Sequence, residues 1–287
     1  MRNSSLHICA LIPTYNNANT ILDVVRRTRK QLKDIIVVVD GCTDNTLDLL
    51  QELEFPITIV SYSKNKGKGY ALKQGFRKAI ELGFEYALTI DSDGQHYPED
   101  IPLLIDAIKK HPDSMIIGSR KLTSENVPGK NKFANKFSNF WFRLQTHINL
   151  PDTQTGFRIY PLNKLYGLSL LTSRYEAELL LLVLAAWHNV QLLPVDIRVY
   201  YPPQEERVSH FRPALDFTRI SIRNSLLCIG AMLYGYPMMY WSTIYGFGIW
   251  GPAMLFLVQP LSLLYFLIFG KNEKSKMRYR RFITYGT

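Results

Sequence analysis

Two aspartates, Asp91 and Asp93, stand one residue apart in LTIDSDGQHYPED, Leu88 to Asp100, directly behind an apolar run. Carboxylates at that spacing have two ordinary uses. They bond their own backbone and start a turn, or they hold a hard cation such as Mg2+ or Mn2+, which takes one or two carboxylates and keeps places for water and substrate phosphates. Gln95 adds a third oxygen donor, and Pro98 begins the next helix in its first turn. An EF-hand is excluded, because the twelfth position counted from Asp91 is Pro102 and not a glutamate.

Other polar clusters also follow apolar runs. In VVVDGCTDNT, Thr43 or Asp44 caps the next helix, which leaves Asp40 as an extra acid able to accept hydrogen bonds from a base or ribose. SKNKGKGYALKQGF brings lysines, Lys66 and Lys68 among them, and two glycines to a helix N-terminus. Such a loop holds phosphate or is simply solvated, and its spacing is not that of a P-loop. Arg120 in IIGSRK, Arg158 in QTGFRIY and Arg212 in ERVSHFRP are either phosphate-binding forks or ordinary ion-pair partners. No H-E-x-x-H or G-x-S-x-G pattern points to a protease or esterase.

The elements that must position these residues alternate. Strands are expected at HICALIP, DIIVVVD, ITIVSY, YALTID and SMIIGS, with helices at about 20–32, 44–53, 69–82 and 98–110. Apolar strands alternating with amphipathic helices predict an α/β fold, a mostly parallel sheet covered on both faces. Ligands in such folds collect at the carboxyl ends of the strands, where the polar clusters fall. After Arg120 the alternation weakens. LTSENVPGKNK reads as a loop, FANKFSNFWFRLQTHI as a helix with an aromatic face, LPDTQTGFRIYP as a loop entering a short strand, SRYEAELLLLVLAAWHN as an apolar helix and VQLLPVDIRVYY as a strand.

The chain has 287 residues, enough for one full core and an appendage. Its 34 Lys and Arg against 24 Asp and Glu give a formal charge of +10, which suits an anionic partner. Nucleic acid is disfavoured, because the aromatics concentrate in apolar runs and form no stacking platform. Three widely spaced cysteines support neither a disulfide framework nor a zinc site, and the N-terminus carries no secretory pattern. From Ser225 to Gly270 there is no Asp, Glu, Lys or Arg, a run of roughly 46 residues where one span needs about 20. Two transmembrane helices are therefore expected, with basic residues at both ends placing both termini of the hairpin in the cytoplasm. The expected organisation is a catalytic domain at 1–212, an interfacial amphipathic helix at 213–224, the hairpin at 225–270 and a basic tail at 271–287.

Assembled in order, LIPTYNNANTI, VVVDGCTDNT, NKGKGYALKQGF, DSDGQHYPED, GSR, TGFR and YEAELLL resemble a family 2 glycosyltransferase of the GT-A fold, in its dolichyl-phosphate mannose synthase-like, polyprenyl-phosphate branch, over residues 7–215. With the hairpin expected from the charge-free run, the chain reads as a multi-pass membrane enzyme with its catalytic domain facing the cytoplasm. The resemblance implies inverting transfer of one sugar from a nucleoside-diphosphate sugar to a membrane lipid, most simply a polyprenyl phosphate. Pro13, Tyr15, Asn17, Asp40, Lys68, Asp91 and Ser92 would bind the nucleotide sugar; Asp91, Asp93 and Gln95 would hold Mg2+ or Mn2+. Arg120 and Arg158 would serve the diphosphate or acceptor phosphate, with Lys132 and Arg212 on the acceptor side, and Asp93, Arg120 and Arg158 would be the catalytic group. If the acceptor were a lipid hydroxyl, Glu176 or Glu178 would be the base. A catalytically inactive, membrane-anchored binding subunit is the alternative of another class. Two departures stand out: Val39-Asp40-Gly41-Cys42 replaces the Asp-Asp-Gly-Ser of many relatives, and the Q-x-x-R-W motif of processive synthases is missing.

Overall fold

The computed structural model describes residues 6–120, 129–165, 176–200 and 213–239. A seven-stranded sheet runs through it in the order β3-β2-β1-β4-β6-β5-β7. The strands are β1 (Ile8–Thr14), β2 (Ile35–Asp40), β3 (Thr58–Tyr62), β4 (Tyr86–Thr89), β5 (Met115–Arg120), β6 (Arg158–Pro161) and β7 (Leu192–Ile197). Between them lie α1 (Ile21–Gln31), α2 (Thr46–Gln51), α3 (Lys68–Glu81), a short 3-10 turn (Pro98–Asp100) leading into α4 (Ile101–Lys110), α5 (Gly129–Thr146), α6 (Leu162–Leu165), α7 (Glu176–Trp187) and α8 (Pro213–Gly230). A π-helical turn (Ala231–Gly235) and α9 (Tyr236–Met239) continue α8 without a break. All pairings are parallel except those of β6, which runs antiparallel to both β4 and β5.

The continuous apolar runs of β1 and β2 follow from burial on both faces. Ile8, Ala10, Ile12, Ile35, Val37 and Val39 pack with α1 and α4, while Cys9, Leu11, Ile36 and Val38 face α3. Alternate residues serve opposite layers because side chains along a strand point alternately up and down. Helix α3 lies close to the sheet at Gly75, where a Cβ would come within 2.2 Å of Leu11 Cδ1. A second core, beyond β5, joins Met115, Ile117 and Tyr160 to α5, α7 and the α8–α9 helix through Phe142, Trp187, Leu227, Ala231 and Tyr236.

Chain order sets the position of the site. Strands β1, β2 and β3 step outward, and α3 then carries the chain back past them to β4, on the other side of β1. The reversal opens a crevice beyond the carboxyl ends of β1 and β4, where ligands of open α/β sheets bind.

The expected elements up to residue 120 match within a few residues. Helix α5 starts at Gly129, before the expected Phe133, because the polar Gly-Lys-Asn-Lys lead reads as loop. No break falls between 224 and 225. Among the described residues no helix is long and apolar enough to cross a membrane. The first expected span begins inside α8 and runs past residue 239, and the second, with the basic tail, lies outside the described residues.

Candidate active site

Four loops meet at the crevice. The loop after β1 is tied to both neighbours. Asn17 Nδ2 donates to Ser92 Oγ at 2.9 Å, and Thr20 Oγ1 donates to the Ser92 carbonyl at 2.6 Å. On the other side the Thr43 N–H donates to Asn16 Oδ1 at 2.8 Å, and the Ala18 N–H to Asp44 Oδ2 at 3.1 Å. Asn16 takes φ 53°, a left-handed conformation that asparagine tolerates. The departure at Cys42 is accommodated here: its sulfur accepts the Asn16 N–H at 3.2 Å.

Asp40 ends β2 buried, and both of its oxygens are engaged. The N–H groups of Lys66 and Gly67 donate to them at 2.8 Å each. Its carboxylate thus fixes the Lys64–Gly67 loop ahead of α3. Gly41 completes the junction, with φ +64° and a hypothetical Cβ 2.3 Å from the Asn65 nitrogen. The Lys66 ammonium sits over the Tyr70 ring, 4.5 Å from its centroid. Pro13 is buried within β1 opposite Val38, and Tyr15 is half-buried at the crevice side of the same strand's end.

The loop after β4 carries the paired acids. Asp93 Oδ1 accepts the Gln95 N–H at 3.0 Å, so turn chemistry is present. The Asp91 carboxylate packs against the backbone of Gly156, where a Cβ would lie 2.4 Å from Oδ2. Lys68 Nζ, from the first residue of α3, is 2.7 Å from Asp91 Oδ1 and 2.9 Å from Glu178 Oε2 on α7. Burial opposes the charge on Asp91 most strongly, but Lys68, His96 and Arg158 together hold the carboxyl below its ordinary value. Asp93 is open to solvent on one side and faces protein on the other. Desolvation there, together with the Asp91 charge, pushes its carboxyl up to about 6. Beneath them His96 is buried against Phe157 and pushed down to about 4 by that burial, so it is neutral at pH 7.

These residues suit a hard divalent cation. Two carboxylates crowd one opening, the charge of one raises the other, and an ammonium already satisfies Asp91. No group of three or more His, Cys, Asp or Glu forms a metal cage among the described residues. Two acids and an amide are the donor set expected for a cation that keeps water and substrate oxygens.

Arg120, at the end of β5, is forked onto Asp152, with Nε 2.6 Å from Oδ2 and Nη2 3.0 Å from Oδ1. Asn135 of α5 donates to the same carboxylate at 2.7 Å. Asp152 is fully buried; burial alone would raise its carboxyl, and the Arg120 bonds and charge hold it below the usual range. Arg158 is fully buried too, its guanidinium donating to the carbonyls of Thr153 at 2.9 Å and Glu178 at 3.1 Å. It therefore ties the 151–156 turn to α7 and faces no open crevice in this conformation. Arg212 lies outside the described residues, as do the side chains of Lys132 and Glu176.

Asp152, Gly156, Asn135 and His96 were not singled out from the sequence. Only the Asp-Thr-Gln-Thr-Gly turn chemistry ahead of Arg158 hinted at any of them.

Comparison with known proteins decides the family. The model described as Glycosyl transferase family 2 matches residues 9–166, more than half of the chain. The chain belongs to this family. It is therefore a glycosyltransferase, with a GT-A-like fold and a mostly parallel sheet. Among similar proteins is the UDP-N-acetylglucosamine--dolichyl-phosphate N-acetylglucosaminyltransferase of Methanococcus voltae, 33% identical over 68% of this chain and 86% of the relative. The undecaprenyl-phosphate mannosyltransferase of Micrococcus luteus is 30% identical over 58% of this chain and 70% of the relative. Among solved structures, glucosyl-3-phosphoglycerate synthase of Mycobacterium tuberculosis, in complex with Mn2+, UDP and phosphoglyceric acid, superposes with a TM-score of 0.58 at 16% identity, covering 79% of this chain and 78% of that one. At that identity the likeness speaks for the fold.

Proposed function

We propose that this glycosyltransferase moves one sugar from a nucleoside-diphosphate sugar to a polyprenyl phosphate, with inversion at the anomeric carbon, at a divalent-cation site of Asp91, Asp93 and Gln95. The observation that carries the reading is the acid pair at the crevice between β1 and β4, cross-tied to the β1 loop through Ser92. The printed activities of the relatives from M. voltae and M. luteus support the acceptor class.

In this reading Pro13, Tyr15, Asn17 and Ser92 form the nucleotide side of the crevice. Asp40 acts there through the loop it holds, presenting the backbone ahead of α3 to the donor. Lys68, 2.7 Å from Asp91, stands at the diphosphate side of the same crevice. A bound Mg2+ or Mn2+ supplies Lewis-acid neutralisation of the departing diphosphate. Arg120 faces the acceptor phosphate with an orientation fixed by Asp152, and Lys132 and Arg212 belong to the same side. Arg158 is a positioning residue, holding the turn that backs Asp91. A phosphate oxygen is already anionic at neutral pH, so its attack needs no strong base, only cationic groups that orient it. Glu178 is ion-paired with Lys68 at 2.9 Å, and this reading gives it a charge-pairing role in place of that of a base.

Membrane attachment through 225–270, with the catalytic domain cytoplasmic, belongs to the same proposal. Ile222, Leu226, Ile229 and Leu233 form one exposed stripe along the helix that leads into this run, 54–63% accessible. An apolar face of this kind suits a bilayer interface.

The test incubates the detergent-purified full chain with Mn2+ and a panel of nucleotide sugars, with polyprenyl phosphate in one tube and a total lipid extract in another, and reads products by mass. A sugar joined to polyprenyl phosphate is the expected result. Product in the extract alone, on a lipid hydroxyl, overturns it.

A further inference from the structure

We propose that Lys68 is the resident cation of the acid pair: it occupies Asp91 while no divalent cation is bound, and Glu178 is the anchor onto which it withdraws when the divalent cation takes Asp91. This rests on the reading above that Asp91 and Asp93 hold such a cation.

Three elements bring the charges together. The ammonium starts α3, Asp91 follows β4, and Glu178 lies in the first turns of α7. The ammonium bridges both carboxylates, at 2.7 and 2.9 Å. Glu178 is buried, and its Oε1 has no hydrogen-bond partner among the described residues. A buried carboxylate oxygen left bare is costly, so Glu178 has acceptor capacity in reserve for an ammonium that leaves Asp91.

The charges explain why an exchange suits the site. Asp91, Asp93 and Glu178 face Lys68 and the buried Arg158, which leaves one negative charge over. Arg120 and Asp152 cancel each other. A divalent cation on the two aspartates turns the balance positive, the sign a diphosphate requires, and Lys68 with Glu178 then forms a neutral pair beside it. Before that, the ammonium keeps a desolvated carboxylate from standing unpaired. Lys68 therefore competes with the divalent cation for Asp91, and Glu178 weakens that competition.

The test titrates the detergent-purified full chain with Mn2+ in the absence of nucleotide and follows free Mn2+ by its EPR signal. Lys68→Met is expected to bind Mn2+ about tenfold or more tightly than the unaltered protein, since it removes an opposing charge in contact with the ligand. Glu178→Gln, in which Lys68 has only Asp91, is expected to bind several-fold more weakly. Lys66→Met, whose ammonium lies over Tyr70, is expected to change nothing, which separates contact competition from a general charge effect. Asp93→Asn is expected to lose binding, and that result tests the cation site itself. If Asp93→Asn loses binding but Lys68→Met leaves the affinity unchanged or weaker, the exchange is wrong and the cation site stands. Binding by Lys68→Met alone supports the exchange in its strongest form. If neither Lys68→Met nor the unaltered protein binds Mn2+, both ideas fall. Should Lys68→Met not fold, an unchanged affinity in Glu178→Gln overturns the exchange by itself.

Discussion

Gly156→Ala isolates the geometry of the acid pair. A methyl group at this position would lie 2.4 Å from Asp91 Oδ2, 2.6 Å from Oδ1 and 2.7 Å from Cγ. Neither side can give way easily. Asp91 is held by Lys68 at 2.7 Å, and the Gly156 carbonyl accepts Thr89 Oγ1 from β4 at 2.7 Å. Gly156 is not among the residues of positive φ, so alanine meets no backbone strain there and the effect is purely one of space. Ordinary contact needs about 1 Å more, and a displacement of that size at a reacting centre costs about 100-fold in rate. Converted to transition-state stabilisation, this is about 2.7 kcal/mol off kcat/KM. Overpacking also lowers folding stability by about 1–3 kcal/mol, which denaturant unfolding reads separately. The assay measures sugar transfer at limiting Mn2+ for Gly156→Ala, Asp91→Asn and the double variant. Once Asp91 no longer serves, the added methyl has little left to disturb, so the two losses should be strongly non-additive. Full additivity, or transfer by Gly156→Ala at the unaltered rate, would refute the reasoning.

Asp152→Asn should destabilise the fold by about 3 kcal/mol at pH 7, because it leaves Arg120 without its buried counter-charge. The Asp152 carboxyl is depressed in the folded state, so its contribution is complete above the unfolded value of about 3.9 and is lost as pH falls through the folded value. The gap between variant and unaltered protein should therefore narrow only below about pH 4, as read by urea unfolding across pH; a gap that is constant down to pH 2 counts against the pairing. Glu99 is held down at about 2 by its hydrogen bonds to Arg27, at 2.9 and 2.7 Å, but Glu99 is solvent-exposed and Arg27 only half-buried. Glu99→Gln should consequently change stability by less than about 1 kcal/mol at pH 7, with that small difference fading between about pH 4.3 and 2. Cys42→Ser should preserve the fold within about 0.5 kcal/mol, since a hydroxyl can take over the bond from the Asn16 N–H, and thermal unfolding checks this. The Cys42 thiol is raised by burial, so it should alkylate more slowly than a free thiol at pH 8.

The part of the chain up to residue 120 was legible because its signals are local. Each strand from β1 to β5 is a short apolar run closed by polar residues, and each following helix carries its own amphipathic period, so strand ends and the loops beyond them could be read directly. The sheet order was not legible in the same way. That β6 enters between β4 and β5 and runs antiparallel to both depends on how the chain returns after α5, and no residue in Arg-Ile-Tyr-Pro encodes a direction. Asp152 and Gly156 were missed for a related reason. Asp152 looks like one more turn aspartate until β5 brings Arg120 against it, and Gly156 like a turn glycine until Asp91 stands where its side chain would be. The charge-free run after Ser225 predicts two membrane-spanning helices from its hydrophobicity alone. In its described part Leu227, Ala231 and Tyr236 pack on Trp187, so hydrophobicity alone did not separate core from surface.

The two sides of the crevice are built differently, and the difference bears on what each can tolerate. On the side proposed to hold the donor the loops are held by single bonds from asparagine and threonine and by the Asp40 and Asp44 carboxylates on backbone amides, with Asp91 paired to Lys68. On the other side Arg120 is fixed by a buried carboxylate, itself held by Asn135 and by the Gln154 N–H. Substitution of one donor-side tie, such as Asn17→Ala, removes one bond of about 1 kcal/mol among several, so the loop stays in place and binding weakens modestly. Substitution of Asp152 removes the buried carboxylate that orients the Arg120 guanidinium and loosens the turn that carries Gly156 toward Asp91. One change there thus disturbs both Arg120 and the acid pair, and Asp152→Asn should lose far more transfer activity than Asn17→Ala when the two are assayed side by side.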